Sequence, residues 1–261
     1  MEMLDLREQS RQHMPKLVLL PSLQLAAIAT WQGRMLNEYA SGRNFEGLAP
    51  QLRAAGMNAK VVADCLEFAD EERHHGVLCG AVVEALGGVA LAQLPDPAEF
   101  PQHEEVGPVE TALRNLLHMC CLSETVAVSL VGAERLEMPE GQLRDLLTTI
   151  YADEVGHSNF GWRLLPRLLE LGDDAMKQRL GVYLRVAFAH FEQHELEHLP
   201  MRSAPPQGSV YGLCSGSDGR ALFYDTVDLI IIPALEAQGI PAREAWNRRG
   251  QDPPIPIRAS S

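Results

Sequence analysis

Basic residues are scarce in this chain: 22 lysines and arginines stand against 35 aspartates and glutamates in 261 residues, a formal net charge of −13. That balance excludes a broad nucleic-acid footprint and an anionic membrane surface, since both need clustered Lys and Arg. Small or cationic partners are compatible with it. Cysteine is also sparse. Cys65, Cys79, Cys120, Cys121 and Cys214 are odd in number and contain no C-x-x-C, so neither a disulfide framework nor a zinc-ribbon or rubredoxin-type site is expected, and a cytoplasmic location fits. The apolar run "KLVLLPSLQLAAIATW" at 16 to 31 is too short and too broken to span a membrane. It follows Arg7, Arg11 and Lys16 as a signal peptide would, but acidic residues precede it and Pro21 interrupts it. Strand-like alternation is missing as well.

What is present is helical apolar spacing on a chain with 46% hydrophobic residues, enough for a sizeable core. The class expected is all-α, with residues 1–261 as a single domain. A first helix is expected from Ser22 to about Ala40, ended by "SGRN", with a short helix before Gly56. Asn58 should cap a second helix that ends at Gly87 and Gly88. The proline-rich "LPDPAEFPQHEEVGP" is a loop. A third helix runs from about Val109 to Glu137. A fourth starts near Pro139 and passes Glu154 and His157, with Pro166 as a kink. A fifth covers about Asp174 to Leu199, residues 200–219 are loop, and "ALFYDTVDLIIIPALEAQG" is a sixth helix. "QDPPIPIRASS" reads as an extended tail.

One phrase occurs twice. "FADEERH" (68–74) and "YADEVGH" (151–157) both read aromatic-Ala-Asp-Glu-x-x-His. On a helix, positions i and i+3 share a face, so Glu71 with His74 and Glu154 with His157 each aim a carboxylate and an imidazole in one direction, which is metal-ligand spacing. Two such pairs leave a dinuclear site short of ligands, and Glu38 and Glu124 lie on the preceding antiparallel helices at separations suited to packing level with them. Glu124 is the stronger of the two, because "CCLSETVAVSLV" surrounds it with core-type residues. Glu46 is the substitute for Glu38. Glu-x-x-His also occurs as Glu72 with His75 and as Glu195 with His198. A lone pair of this kind is usually a solvated face. Of the adjacent histidines, the repeat favours His74: aligning "DEERHH" with "DEVGHS" sets His74 on His157 and His75 on Ser158, a poor replacement for an imidazole. His190, His194 and His198 share one helix face, read as solvated or as a separate metal site. Cys120 and Cys121 are read as small hydrophobes.

One Glu, Glu-x-x-His, one Glu, Glu-x-x-His on four helices resembles the ferritin-like di-iron carboxylate superfamily, through "NEYA", "ADEERHH", "SETV" and "ADEVGH". The likeness covers about residues 22–171, with a C-terminal helical extension over about 172–250. It implies a ferritin-like four-helix bundle holding two iron ions, Fe/Fe or Mn/Fe. Glu71 and Glu154 would bridge the metals; Glu38 with His74 and Glu124 with His157 would complete them. Asp70 and Asp153 would accept hydrogen bonds from the ligand histidines, with Tyr151 nearby. The activity implied is that of a non-haem di-iron oxidase or oxygenase, taking dioxygen, a small organic substrate and electrons from a separate reductase or ferredoxin, with a homodimer compatible. Ferroxidase or peroxide-reducing chemistry is the first alternative. A non-catalytic helical adaptor is the second.

Overall fold

The computed structural model describes residues 2–94, 96 and 99–251; of the tail expected at 251–261, all but Gln251 lies outside the described residues. Helix dominates, as the apolar spacing requires. α1 (Arg7–Arg11) leads into α2 (Pro21–Ala54) and α3 (Ala59–Ala85), which pair over their whole lengths. α4 (Pro108–Glu137) and α5 (Gln142–Leu169) form a second hairpin. α6 (Asp174–His198), α7 (residues 216–237) and α8 (Ala242–Asn247) follow. By length and composition α4 is apolar enough to cross a membrane; here Leu113, Leu116, Leu117, Cys120, Cys121 and Leu122 are buried against the neighbouring helices.

Two local expectations are corrected, and one feature is added. α2 does not stop at "SGRN" but runs on through Ser41, Gly42 and Pro50, so Glu38 stands in mid-helix. Glycine costs about 1 kcal/mol in a helix interior, yet here it serves packing: a Cβ on Gly42 would lie 2.7 Å from the Ala69 carbonyl oxygen, so only glycine lets α2 and α3 approach this closely. A small antiparallel sheet also exists, with Met3, Leu4 and Asp5 opposite Gln93, Ala92 and Leu91. Strands of three residues are too short to display alternation. Finally, α4 contains a π-helical segment, Leu117–Ser123, immediately before Glu124, and α7 contains another, Val227–Ile231. Such insertions are frequent at functional sites. The Asn58 cap forms as expected, its side chain accepting from the Val61 amide at 3.0 Å.

The apolar core falls into two clusters. One takes Phe45, Leu48 and Leu52 from α2, Val62, Cys65 and Ala69 from α3, and Phe160, Leu164 and Leu168 from α5. The other takes Trp31 and Met35, Leu78, Cys79 and Val82, and Leu143, Leu147 and Ile150 from the same three helices. Each helix therefore changes cluster partway along, and a polar layer lies at the change. α6, α7 and α8 cover the first cluster with Leu184, Phe188, Phe223 and Ile231. The loop before α7 completes the second through Tyr211, whose hydroxyl accepts from the Leu20 amide at 2.7 Å and whose carbonyl accepts from Trp31 Nε1 at 2.8 Å.

The tight approach of α2 and α3 yields a prediction. A Cβ on Gly76 would lie 2.8 Å from Tyr39 Cβ and 3.2 Å from the Met35 carbonyl oxygen. Gly76→Val should therefore push the two helices apart and destabilise the protein by about 1–3 kcal/mol. A urea midpoint equal to that of the wild type would show that the close approach is dispensable.

Candidate metal centre

The polar layer contains two overlapping groups of ligand-type side chains. Glu38, Glu72, His75 and Glu154 form one; Glu72, Glu124, Glu154 and His157 form the other; within each, the ligand atoms lie within 4.8 Å of one another. Glu72 and Glu154 belong to both. Their oxygens are divided between the two histidines: Glu72 Oε1 is 3.1 Å and Glu154 Oε2 3.6 Å from His157 Nδ1, while Glu154 Oε1 is 3.4 Å from His75 Nδ1. Glu38 Oε2 is 3.6 Å from that same His75 nitrogen.

Four elements supply these groups: α2 gives Glu38, α3 gives Glu72 and His75, α4 gives Glu124 and α5 gives Glu154 and His157. Glu38, Glu124, Glu154 and His157 were all singled out in the sequence. The register on α3 was not. Glu71 and His74 stay outside both groups, and Glu72 and His75 take the places expected of them. Burial explains the correction. Along α5 the inward stripe runs Leu143, Leu147, Ile150, Glu154, His157, Gly161, Leu164, Leu168; on α3 it runs Val62, Cys65, Ala69, Glu72, Gly76, Cys79, Val83. Glu71 is turned about 100° from Glu72 around the helix, and its side chain is 33% exposed against 3% for Glu72. The apolar stripe was the signal that could have chosen correctly, and the more literal match of the repeated phrase outweighed it.

Glu71 has another place. His157 Nε2 donates to Glu71 Oε2 at 2.9 Å, and His75 Nε2 donates to Asp153 Oδ2 at 3.1 Å. The residue before each shared glutamate thus braces the histidine of the opposite helix, so the true internal match is Glu71-Glu72-x-x-His75 with Asp153-Glu154-x-x-His157. Asp153 lies where it was expected, beside a histidine of the cluster. Asp70 does not: it is exposed and pairs with Arg73 at 3.1 Å. His74 meets the edge of the His13 ring, centroids 5.4 Å apart. Tyr151 also turns away, with the Arg135 guanidinium 4.9 Å above its ring. Glu46 pairs with Arg73. His194 and His198 are ring neighbours at 4.6 Å, but among the described residues no ligand group includes them. Cys120 and Cys121 are buried.

Electrostatics mark the layer as strained when it holds only protons. Burial and the charge of Glu154 push the Glu72 carboxyl up to about 7. Burial and the same neighbour push Glu124 well above the usual carboxylate range. For Glu154 burial acts upward too, but the neighbouring Glu124, His157 and His75 side chains prevail and lower it. Burial alone would lower both histidines; the hydrogen bond to Asp153 and the nearby Glu154 and Glu38 carboxylates raise His75 instead, and the Glu154 and Glu72 carboxylates with the hydrogen bond to Glu71 raise His157. Three buried atoms aimed into the layer have no hydrogen-bond partner: His75 Nδ1, His157 Nδ1 and Glu154 Oε2. Buried polar atoms rarely go unpaired. A cation between the two histidines would satisfy all three, and carboxylates with imidazoles are donors suited to iron or manganese. The walls are apolar, with the Phe45 and Phe68 rings 5.2 and 4.6 Å from His157.

Fold and site together define a class: a helical protein with a buried carboxylate–histidine cluster close enough to hold metal, compatible with a di-iron site. No family model matches the chain, and no similar curated protein or solved structure was found.

Proposed function

We propose that this chain is a ferritin-like di-iron carboxylate protein that works as a non-haem oxidase or oxygenase on a small organic substrate. The observation that carries the reading is the sharing of Glu72 and Glu154 between two ligand groups, each with its own histidine whose Nδ1 is buried and unpartnered. Glu38 and His75 would hold one ion, Glu124 and His157 the other, and the two shared glutamates both. Two iron ions held there supply redox chemistry with dioxygen. The protein's own part is positional. Asp153 and Glu71 hold the Nε2 protons and so leave each Nδ1 as the donor. The phenylalanine wall keeps water from the layer. His75, His157, Glu72 and Glu124 would have to give up protons to hold a metal, so metal affinity should rise with pH. Electrons come from a separate donor.

Anaerobic loading with ferrous iron tests the reading. The protein should hold two iron ions per chain and consume dioxygen when a chemical reductant is supplied. A single tightly held zinc, or no metal, would sink it. Accumulation of many ferric ions per chain would favour iron handling instead.

A further inference from the structure

The two halves of the cluster are not equivalent, and the difference lies on α2. One turn after Glu38, the Ser41 hydroxyl reaches Glu72 Oε2, the oxygen that faces away from His157; it also lies 2.7 Å from the Glu38 carbonyl oxygen. A hydroxyl has one proton to donate. A helical serine commonly returns it to a carbonyl in the preceding turn, but a carboxylate is the stronger acceptor, so Glu72 takes it. The neighbouring Gly42 is a point of close approach, where a Cβ would lie 2.7 Å from the Ala69 carbonyl oxygen. In the second hairpin the matching position, three residues after Glu124, is Ala127, which brings no hydroxyl. Glu72 Oε2 thus has a donor from outside the two ligand groups.

We propose that Ser41 is a positioning residue: its hydroxyl fixes the orientation of the Glu72 carboxylate, which belongs to both ligand groups. The inference rests on the two-metal reading above. A hydrogen bond from outside the ligand set fixes a ligand's orientation, and its loss typically lowers metal affinity about 10- to 100-fold. Because Glu72 serves both positions, the loss falls on the more weakly held ion.

Titration of the metal-free full chain with Mn²⁺, following the free ion by electron paramagnetic resonance, provides the test without recourse to activity. The wild type should bind two ions. Ser41→Ala should bind the second about tenfold more weakly, and Ser41→Thr, which keeps the hydroxyl, should restore it. Circular dichroism of the metal-free variants should be unchanged, since a half-exposed serine is no part of the core. Wild-type affinities in Ser41→Ala would overturn the proposal. So would a Ser41→Thr protein as weak as the alanine variant, which would make the effect one of packing. Fewer than two ions bound by the wild type would overturn the two-metal reading and this proposal with it, whereas two ions with no response to Ser41→Ala would overturn this proposal alone.

Discussion

His75→Ala is expected to lower metal occupancy from two ions per chain toward one, while His74→Ala keeps both. The two residues are adjacent, so a general disturbance of α3 would affect them alike. Their surroundings differ. His75 is fully buried, with Nδ1 facing Glu38 and Glu154 and Nε2 on Asp153. His74 is exposed and packs against His13. The same contrast applies to the glutamates in graded form. Glu72→Ala removes a carboxylate common to both positions and should abolish dinuclear binding. Glu71→Ala removes only the acceptor at His157 Nε2 and should weaken binding about 10- to 100-fold. Elemental analysis after anaerobic reconstitution and desalting distinguishes these cases. Retention of both ions by His75→Ala, with loss in His74→Ala, would restore the register suggested by the repeated phrase and overturn the one drawn from burial.

Glu124→Met should make the metal-free protein more stable while removing metal from the His157 position. Glu124 is buried beside Glu72 and Glu154, and its carboxyl is held well above the usual range by burial and by the charge of Glu154. Replacing buried charged groups with apolar residues of similar volume is often stabilising, by about 1–4 kcal/mol. In a chain of this size about 1 kcal/mol corresponds to a melting shift of about 2–4 °C. The sign with pH follows from the raised pKa. Below the ordinary carboxylate pKa, Glu124 is neutral in both folded and unfolded chains and the gain is small. Above it the unfolded chain ionises and the folded one resists, so the advantage of Glu124→Met grows as pH rises. Thermal melts in chelator across that range would show it. A lower melting temperature for Glu124→Met at neutral pH would mean that the layer is a satisfied structural network, with no need of a cation.

Helix content and most of the helix ends were legible in the sequence because they depend on local physics. Apolar spacing marked α3 to α7, Asn58 announced its own cap, and the glycines after Leu86 ended α3. The same local reasoning failed at "SGRN", where the approach of α2 to Ala69 overrides helix propensity, and at the short sheet, whose strands are held by pairing between distant segments. Neither preference is visible along one strand of text.

For the site, the sequence singled out Glu124 by its apolar surroundings, since a lone acid in an apolar helix must face something. It singled out Glu154 and His157 by the repeated phrase, Glu38 by its spacing from the first copy, and Asp153 through the resemblance. Only the tertiary structure decided that Glu72 and His75 enter the cluster, that Glu71 and Asp153 brace histidines on opposite helices, and that Ser41 reaches Glu72. The reason is rotational. Neighbouring residues on a helix differ by about 100°, so a one-residue error in register leaves composition and motif intact but exchanges a buried ligand for a half-exposed one. The packing of the other helices settles which of the two faces inward.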